Sequence, residues 1–167
     1  MEFLRLALDE AKKCTPTPTA FCVGCVITAP YPPGLKPVII ARGYSRELPG
    51  NTHAEANALT KARQLSQEQL AELFPDAPGP IDIDTLLTYA DIYTTMEPCS
   101  VRTSGLSPCA DAIIAAQIKR CFIGVGEPDD FVKCEGAQKL TNAGVEVIWL
   151  NGLEKECLEV ARMGREE

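Results

Sequence analysis

Three side chains that commonly bind metal ions lie where a predicted helix begins or a predicted strand ends in the 167-residue chain. His53 is the only histidine, and Cys99 and Cys109 each follow a proline, the residue favoured at the first helical position. A thiol at a helix N-terminus is favoured as the thiolate, which is the form that binds zinc. One imidazole and two thiolates leave the fourth position of a tetrahedral ion open, which is typical of catalytic zinc sites.

Glu55 follows His53 by two residues, roughly 200° further around an ideal helix. We therefore expect Glu55 beside the metal and not among its ligands, where its carboxylate can take up and release a proton. His53-Ala54-Glu55 and Pro98-Cys99 match two parts of the zinc-deaminase signature, H-x-E with P-C-x-x-C. The second cysteine departs from it, because nine residues separate Cys99 from Cys109. We expect the segment between them to loop out beside the metal and line a pocket.

Other interpretations of these residues remain open. A lone histidine at a helix start is more often a surface residue, and only its neighbours favour a ligand role here. Cys22 and Cys25 form a second close pair, typical of a redox site or half a zinc ribbon. In a predicted strand, however, residues three apart point to opposite faces, so we interpret this pair as structural. We interpret the remaining cysteines in the same way; they are Cys14, Cys121, Cys134 and Cys157.

The elements that must position these residues alternate along the chain. Helices are predicted over 2–13, 53–65, 108–117, 136–143 and 153–162. Strands are predicted over 20–29, 37–43, 91–96, 120–125 and 145–150. This order predicts an α/β fold with a five-stranded mixed sheet, helices on both faces and the last two strands parallel. Residues 66–90 contain a predicted short helix and several prolines, and we interpret them as a surface insertion within a single domain spanning 1–167.

Composition excludes several classes of function. Hydrophobic residues make up 46% and charged residues 23%, which is typical of a globular protein. The net charge of −7 argues against binding a nucleic acid through its backbone, although a small phosphorylated ligand stays compatible. The sequence contains no apolar run of about 18–20 residues and no basic, apolar leader, so we expect no membrane partner. With eight cysteines expected to be reduced, we predict a cytoplasmic location.

With these residues in hand, the sequence resembles the cytidine-deaminase-like superfamily and, more narrowly, the fungal branch of the riboflavin-biosynthesis pyrimidine deaminases. The resemblance covers about residues 20–150. It rests on the segments HAEANAL at 53–59, TTMEPCS at 94–100, PCADAI at 108–113 and GVGEPDDF at 124–131. Bacterial members carry Asn-Pro where this chain has Ala20-Phe21, and their cysteine gap is one residue shorter. Both differences favour the fungal branch.

The resemblance implies a three-layer α-β-α fold and a zinc-dependent hydrolase that forms a homodimer. It also implies the reaction, which is hydrolytic deamination of 2,5-diamino-6-ribitylamino-4(3H)-pyrimidinone 5′-phosphate with release of ammonia. Zn²⁺ would be held by His53, Cys99 and Cys109, with Glu55 as the catalytic proton carrier. The alternatives are a deaminase of another base, nucleoside or tRNA, and a non-catalytic subunit stabilised by zinc.

A phosphorylated substrate needs cations near the metal. Arg46 and Arg102 are predicted to bind substrate because their segments should converge on the zinc ligands. Arg42 and Lys133 are weaker candidates, since most basic side chains are solvated surface residues. Asn51 is predicted either to hydrogen-bond the substrate or to shape the turn before the helix.

Overall fold

Five strands form one mixed sheet in the computed structural model, which describes residues 1–102, 105–128 and 134–165. The strands are β1 (Gly24–Ala29), β2 (Val38–Tyr44), β3 (Asp91–Met96), β4 (Arg120–Val125) and β5 (Glu146–Trp149). Their order across the sheet is β2-β1-β3-β4-β5. Strand β1 runs antiparallel to β2 and β3, whereas β3, β4 and β5 run parallel. The predicted α/β fold, with its last two strands parallel, is confirmed.

Helices cover both faces of this sheet. Within the described ranges they are α1 (Glu2–Ala11), α2 (Ala54–Arg63), α3 (Gln67–Leu73), α4 (Ile83–Leu87), α5 (Cys109–Ala115), α6 (Gly136–Asn142) and α7 (Glu154–Ala161). None of the helices in these ranges is long and apolar enough to cross a membrane.

Two glycines show how closely the helices approach the sheet. An added Cβ at Gly24 would overlap the backbone of α1 at Ala7, and one at Gly43 would overlap the backbone of α2 at Ala54. Gly43 pairs with Cys25, the neighbour of Gly24, so the two glycines face opposite sides of the sheet. Helices α1 and α2 therefore lie on opposite faces, as a three-layer α-β-α fold requires.

One edge of the sheet collects the residues with predicted chemistry. The central strand β3 is buried along its whole length and ends at Met96, directly before Glu97-Pro98-Cys99. Helix α2 begins after His53 and α5 begins at Cys109. The carboxyl edge of a parallel sheet, where helices start, is the usual place for ligand sites in α/β proteins.

The interpretation of residues 66–90 as a surface insertion is wrong in one respect, because several apolar side chains of this segment are buried in the core. Ser66 caps α3 through a capping box with Gln69, and α3 is the helix that the sequence predicted. The chain then returns through α4, which the sequence analysis missed because a single turn shows no helical periodicity. Several apolar residues of the segment lie in the main core with the strands: Leu70, Phe74, Ile81, Leu86 and Leu87.

Replacing Leu86 with alanine should therefore destabilise the whole fold. Its side chain is fully buried in the main core, so Leu86→Ala removes packed methyl groups and leaves a cavity. We expect the free energy of unfolding to fall by about 2–5 kcal/mol, measured by denaturant titration. Leu35→Ala is the matched control, because Leu35 is 54% exposed. Equal, small effects of the two substitutions would contradict the core assignment.

Candidate active site

Three metal-binding side chains meet at the carboxyl edge of β3. His53 is the N-cap residue of α2, Cys99 lies in the turn after β3, and Cys109 is the first residue of α5. The Nδ1 atom of His53 lies 3.5 Å from Cys99 Sγ and 3.4 Å from Cys109 Sγ. One donor atom from each residue lies within 4.8 Å of the others. This group, the His53–Cys99–Cys109 group, could hold a metal ion.

The chemistry of these donors fits zinc. Imidazole nitrogen and thiolate sulfur are the usual zinc ligands in proteins, and three of them leave one tetrahedral position for a reacting molecule. The cysteines lie in different environments. Hydrogen bonds from the Cys109 side chain, the His53 ring and the Cys109 backbone lower the pKa of the Cys99 thiol to about 4. The contact with Cys99, together with burial, raises the pKa of the Cys109 thiol. A thiolate is thus already favoured at Cys99.

The carboxyl group of Glu55 is buried beside the His53–Cys99–Cys109 group. Glu55 is 3% exposed, lines the same cavity as His53 and interacts with the Cys109 side chain. Burial raises its pKa above the ordinary value for a glutamate. The hydroxyl of Thr94, which also contacts the Met96 carbonyl at 2.9 Å, donates to Glu55 Oε1 at 3.1 Å and helps to fix the position of that oxygen. A positioned carboxyl group with a raised pKa can both accept and donate a proton.

A cavity of about 360 Å³ opens onto these side chains. Its wall combines apolar and polar residues, namely Thr19, Ala20, Phe21, Val23, Ser45, Arg46, Asn51, His53, Glu55, Met96, Glu97, Cys99, Val101, Arg102 and Glu127. Its volume lies within the range of small-molecule sites, about 300–1,000 Å³. The site can therefore admit a polar molecule the size of a substituted heterocycle next to the metal-binding group.

The structure places the predicted substrate-binding residues unequally. Asn51, Arg46 and Arg102 all line the cavity, and the guanidinium of Arg102 donates to the backbone carbonyl of Asn51. Arg42 is not among the described lining residues and lies 3.6 Å from the buried carboxylate of Glu10. Lys133 falls outside the described residues, as does part of the segment at 124–131 that carried the resemblance.

Sequence reasoning missed Glu127 as a lining residue. It follows β4 at the same edge of the sheet, and the resemblance used it only as part of a turn motif. Its Oε2 atom is buried and has no hydrogen-bond partner among the described residues. Burial raises the pKa of this carboxyl group. The sequence offered one signal for this role, an acidic residue shortly after a predicted parallel strand. Residues at the carboxyl ends of such strands commonly contact ligands.

The turn that carries Cys99 is held by the start of α6. The carboxylate of Glu97 accepts from the backbone N–H of Ala137 at 2.9 Å, and Ser100 Oγ accepts from the N–H of Glu135 at 3.1 Å. Gly136 lies so close to this turn that an added Cβ would overlap the Pro98 carbonyl group. Helix α6 therefore supports the position of a predicted metal ligand without contributing a donor of its own.

The substitution Gly136→Ala tests this support. The new methyl group would push the Pro98 carbonyl away and displace Cys99 from the other two donors. We expect zinc affinity to fall by about 10–100-fold, the usual effect of disturbing residues that orient metal ligands, measured by competition with a chelator. Gly79→Ala is the control, because no atom lies within 4 Å of the added Cβ there. Equal zinc affinity in the two variants would contradict this role of α6.

Comparison with known proteins places these features in a family. The model of the cytidine and deoxycytidylate deaminase zinc-binding region matches residues 1–125. The chain is 41% identical over 163 residues to a protein of Schizosaccharomyces pombe named diaminohydroxyphosphoribosylamino-pyrimidine deaminase. That alignment covers 98% of this chain and 35% of the S. pombe protein. The chain is also 32% identical to the riboflavin biosynthesis protein RibD of Actinobacillus pleuropneumoniae, covering 93% of this chain and 34% of that protein.

Solved structures agree with this placement. The Rib2 deaminase of Aspergillus oryzae, solved in complex with DARIPP, is 36% identical and superposes with a TM-score of 0.77. The match covers 99% of this chain and 91% of that chain, whereas the chain spans about a third of the curated relatives. The matched region contains the His53–Cys99–Cys109 group and Glu55. The chain belongs to the cytidine and deoxycytidylate deaminase family.

Proposed function

We propose that this chain is a zinc-dependent deaminase of riboflavin biosynthesis. Its substrate is 2,5-diamino-6-ribitylamino-4(3H)-pyrimidinone 5′-phosphate, from which it releases ammonia by hydrolysis. The observation that carries the proposal is the buried carboxyl group of Glu55 next to the His53–Cys99–Cys109 group at the cavity. The name of the S. pombe relative and the DARIPP complex of the A. oryzae Rib2 deaminase support this choice of substrate.

In this proposal His53, Cys99 and Cys109 hold Zn²⁺. When bound, zinc supplies a Lewis acid that makes water a competent nucleophile near pH 7. The buried position of the two sulfur atoms shields them from bulk solvent. Cys99 carries its negative charge readily because the backbone N–H of Cys109 donates to its sulfur at 3.3 Å.

Glu55 moves the protons of the reaction. Its carboxylate takes one proton from the attacking water as the new C–O bond forms at C2 of the ring. It then gives that proton to the amino nitrogen at the same carbon, so that the C–N bond breaks and ammonia leaves. The hydrogen bond between Thr94 and Glu55 Oε1 keeps the carboxyl group aimed at the cavity during both transfers.

Arg102 is the residue that we propose to bind the substrate phosphate. It lies in the segment between the two cysteines, lines the cavity, and has one contact to the Asn51 carbonyl group. A guanidinium has five N–H donors, so the others can serve an anion. Asn51 is proposed to shape this side of the cavity through that contact and to offer its side-chain amide to the substrate.

The substitution Arg102→Met should weaken substrate binding and leave the chemistry intact. We expect KM to rise by about tenfold or more, with kcat and zinc content nearly unchanged, because the phosphate does not react. Steady-state kinetics of ammonia release provide the measurement. The control is Arg63→Met, which removes an exposed guanidinium of α2 that pairs with Asp84 of α4. A KM for Arg102→Met equal to that of the control would rule out a phosphate contact.

An ammonia-release assay across a panel of compounds tests the proposed function. The panel contains the pyrimidinone phosphate, cytosine, cytidine, guanine and a tRNA anticodon stem. We expect release from the pyrimidinone phosphate alone. Release from cytidine and not from the pyrimidinone would replace the proposal with a nucleoside deaminase. Release from none of them by protein that carries zinc would favour the non-catalytic subunit. The homodimer, the cytoplasmic location and the single domain spanning 1–167 stay predictions.

A further inference from the structure

Arg46 has an unusual backbone conformation directly after β2. Its φ angle is 63°, in the left-handed region that residues other than glycine seldom adopt. Its backbone N–H donates to the Thr52 carbonyl at 2.7 Å, which closes the turn between β2 and α2. The energetic cost of this conformation for an L-residue must be offset by contacts that the side chain or the turn makes.

The side chain of Arg46 makes those contacts with the segment before β1. Its Nη1 donates to the Phe21 carbonyl at 3.1 Å, and its Nη2 donates to the Thr15 carbonyl at 2.9 Å. The same Nη2 lies 3.5 Å from the sulfur of Cys22. One guanidinium thus joins three points of residues 15–22, the segment that links α1 to β1.

This segment forms one wall of the cavity. Thr19, Ala20 and Phe21 line the cavity, yet they precede β1, which begins only at Gly24. Apart from an isolated bridge between Thr17 and Ala20, no regular strand pairing with another described part of the chain fixes the segment. The predicted strand over 20–29 is therefore too long by four residues at its start. Side-chain contacts, together with the backbone hydrogen bond from Cys22 N–H to the Ala161 carbonyl, must supply the order that a sheet would otherwise give.

The electrostatics of Cys22 strengthen the attachment. Cys22 is fully buried, and a hydrogen bond from Cys14, followed by the charge of Arg46, lowers the pKa of its thiol to about 6. The guanidinium, with Nη2 3.5 Å from this sulfur, favours its thiolate form. A charge-assisted contact of this kind is stronger than a neutral hydrogen bond.

We infer that Arg46 is a positioning residue whose guanidinium fastens residues 15–22 as the substrate-facing wall of the cavity. This inference rests on the proposed function for its kinetic consequence and replaces the predicted role of Arg46 as a substrate ligand. Both terminal nitrogens are engaged by the protein itself, and of the three guanidinium nitrogens Nε alone lacks a hydrogen-bond partner among the described residues. Arg46 therefore influences the affinity for the whole substrate by fixing the shape of the cavity wall. It does not act through direct contact with the phosphate.

The variant Arg46→Met separates these two roles. It keeps the aliphatic stem and removes every donor, so the wall should loosen. The Michaelis constant, or the inhibition constant, is measured for each of two compounds, the pyrimidinone phosphate and its dephosphorylated form. A positioning role predicts that both constants rise by a similar factor, about tenfold or more, while zinc content is unchanged. A rise confined to the phosphorylated compound would make Arg46 a phosphate ligand and overturn the inference.

Hydrogen exchange supplies a readout that does not depend on activity. The N–H of Cys22 donates to Ala161 O at 2.9 Å, and that of Val23 donates to Ser45 Oγ at 3.0 Å. We expect these amides to exchange about tenfold faster or more in Arg46→Met, with residues 91–99 unaffected. Unchanged exchange in residues 15–23 would overturn the inference even if the constants rise. If the wild-type protein does not deaminate the pyrimidinone, the proposed function fails, and the exchange data alone decide the role of Arg46.

Two further variants serve as controls for unfolding and for the loss of any exposed guanidinium. Arg46→Lys keeps the charge near Cys22, but a single ammonium cannot span the two carbonyl groups as a guanidinium does. We expect intermediate exchange rates and constants from it, and it provides the test if Arg46→Met does not fold. Arg63→Met is the control for loss of an exposed guanidinium. Behaviour of Arg46→Lys identical to that of the control would contradict the bidentate attachment.

Discussion

Replacing Glu55 with glutamine is expected to lower kcat by about 10²–10⁴-fold, the range that general acid–base catalysis contributes. The amide has the same shape and can still receive the hydrogen bond from Thr94, which reaches Glu55 Oε1 at 3.1 Å. It cannot take a proton from water or return one to the leaving amine. Zinc should remain bound at one ion per chain, since Glu55 is not among the three donors. Ammonia release and metal analysis on the same preparation measure both quantities.

The control for Glu55→Gln is the same substitution at Glu72, an exposed residue of α3. It removes one negative charge without touching the cavity, so its kcat should equal that of the wild-type protein. Turnover of Glu55→Gln within about tenfold of the control would mean that another group moves the protons. Loss of zinc from Glu55→Gln would instead place the carboxylate among the ligands, contrary to the geometry described above.

Removing either cysteine of the His53–Cys99–Cys109 group should abolish stable zinc binding. Cys99→Ala and Cys109→Ala each leave two donors, too few for a zinc site built of three protein ligands. We expect the affinity for zinc to fall by at least about a hundredfold, with activity lost in proportion to the metal. Chelator competition followed by elemental analysis measures the affinity.

A matched cysteine variant distinguishes loss of a ligand from loss of a buried thiol. Cys157 lies on α7, is 1% exposed and does not belong to the donor group. Cys157→Ala should keep one zinc ion per chain while it lowers the free energy of unfolding modestly. If Cys99→Ala or Cys109→Ala retains zinc as well as Cys157→Ala does, the proposed ligand set is incorrect.

Local signals explain why the metal group could be predicted from the sequence. A proline before each cysteine marks a helix start or a strand end, and the edge of a parallel sheet brings such positions together. His53, Cys99 and Cys109 therefore converge as predicted, and Glu55 lies beside them. The parallel pairing of β4 and β5 also follows from a local pattern, because a helix links these two strands.

The remaining features depend on tertiary contacts that leave no local pattern. The single turn of α4 is too short to show periodicity, and the burial of Leu86 depends on how the chain returns to the sheet. The role inferred for Arg46 depends on two backbone carbonyl groups more than twenty residues earlier in the sequence. Backbone carbonyls carry no side-chain signature, so no sequence pattern could distinguish this arginine from a phosphate ligand.

X-ray absorption at the zinc edge tests the metal centre most directly, because it reports the atoms bound to zinc without reference to activity. We expect two sulfur neighbours at about 2.3 Å and two nitrogen or oxygen neighbours at about 2.0–2.1 Å, the values for Cys, His and a solvent or substrate atom. Spectra with four sulfur neighbours would indicate a closed structural site. Spectra with no sulfur would contradict the assignment of Cys99 and Cys109 as ligands.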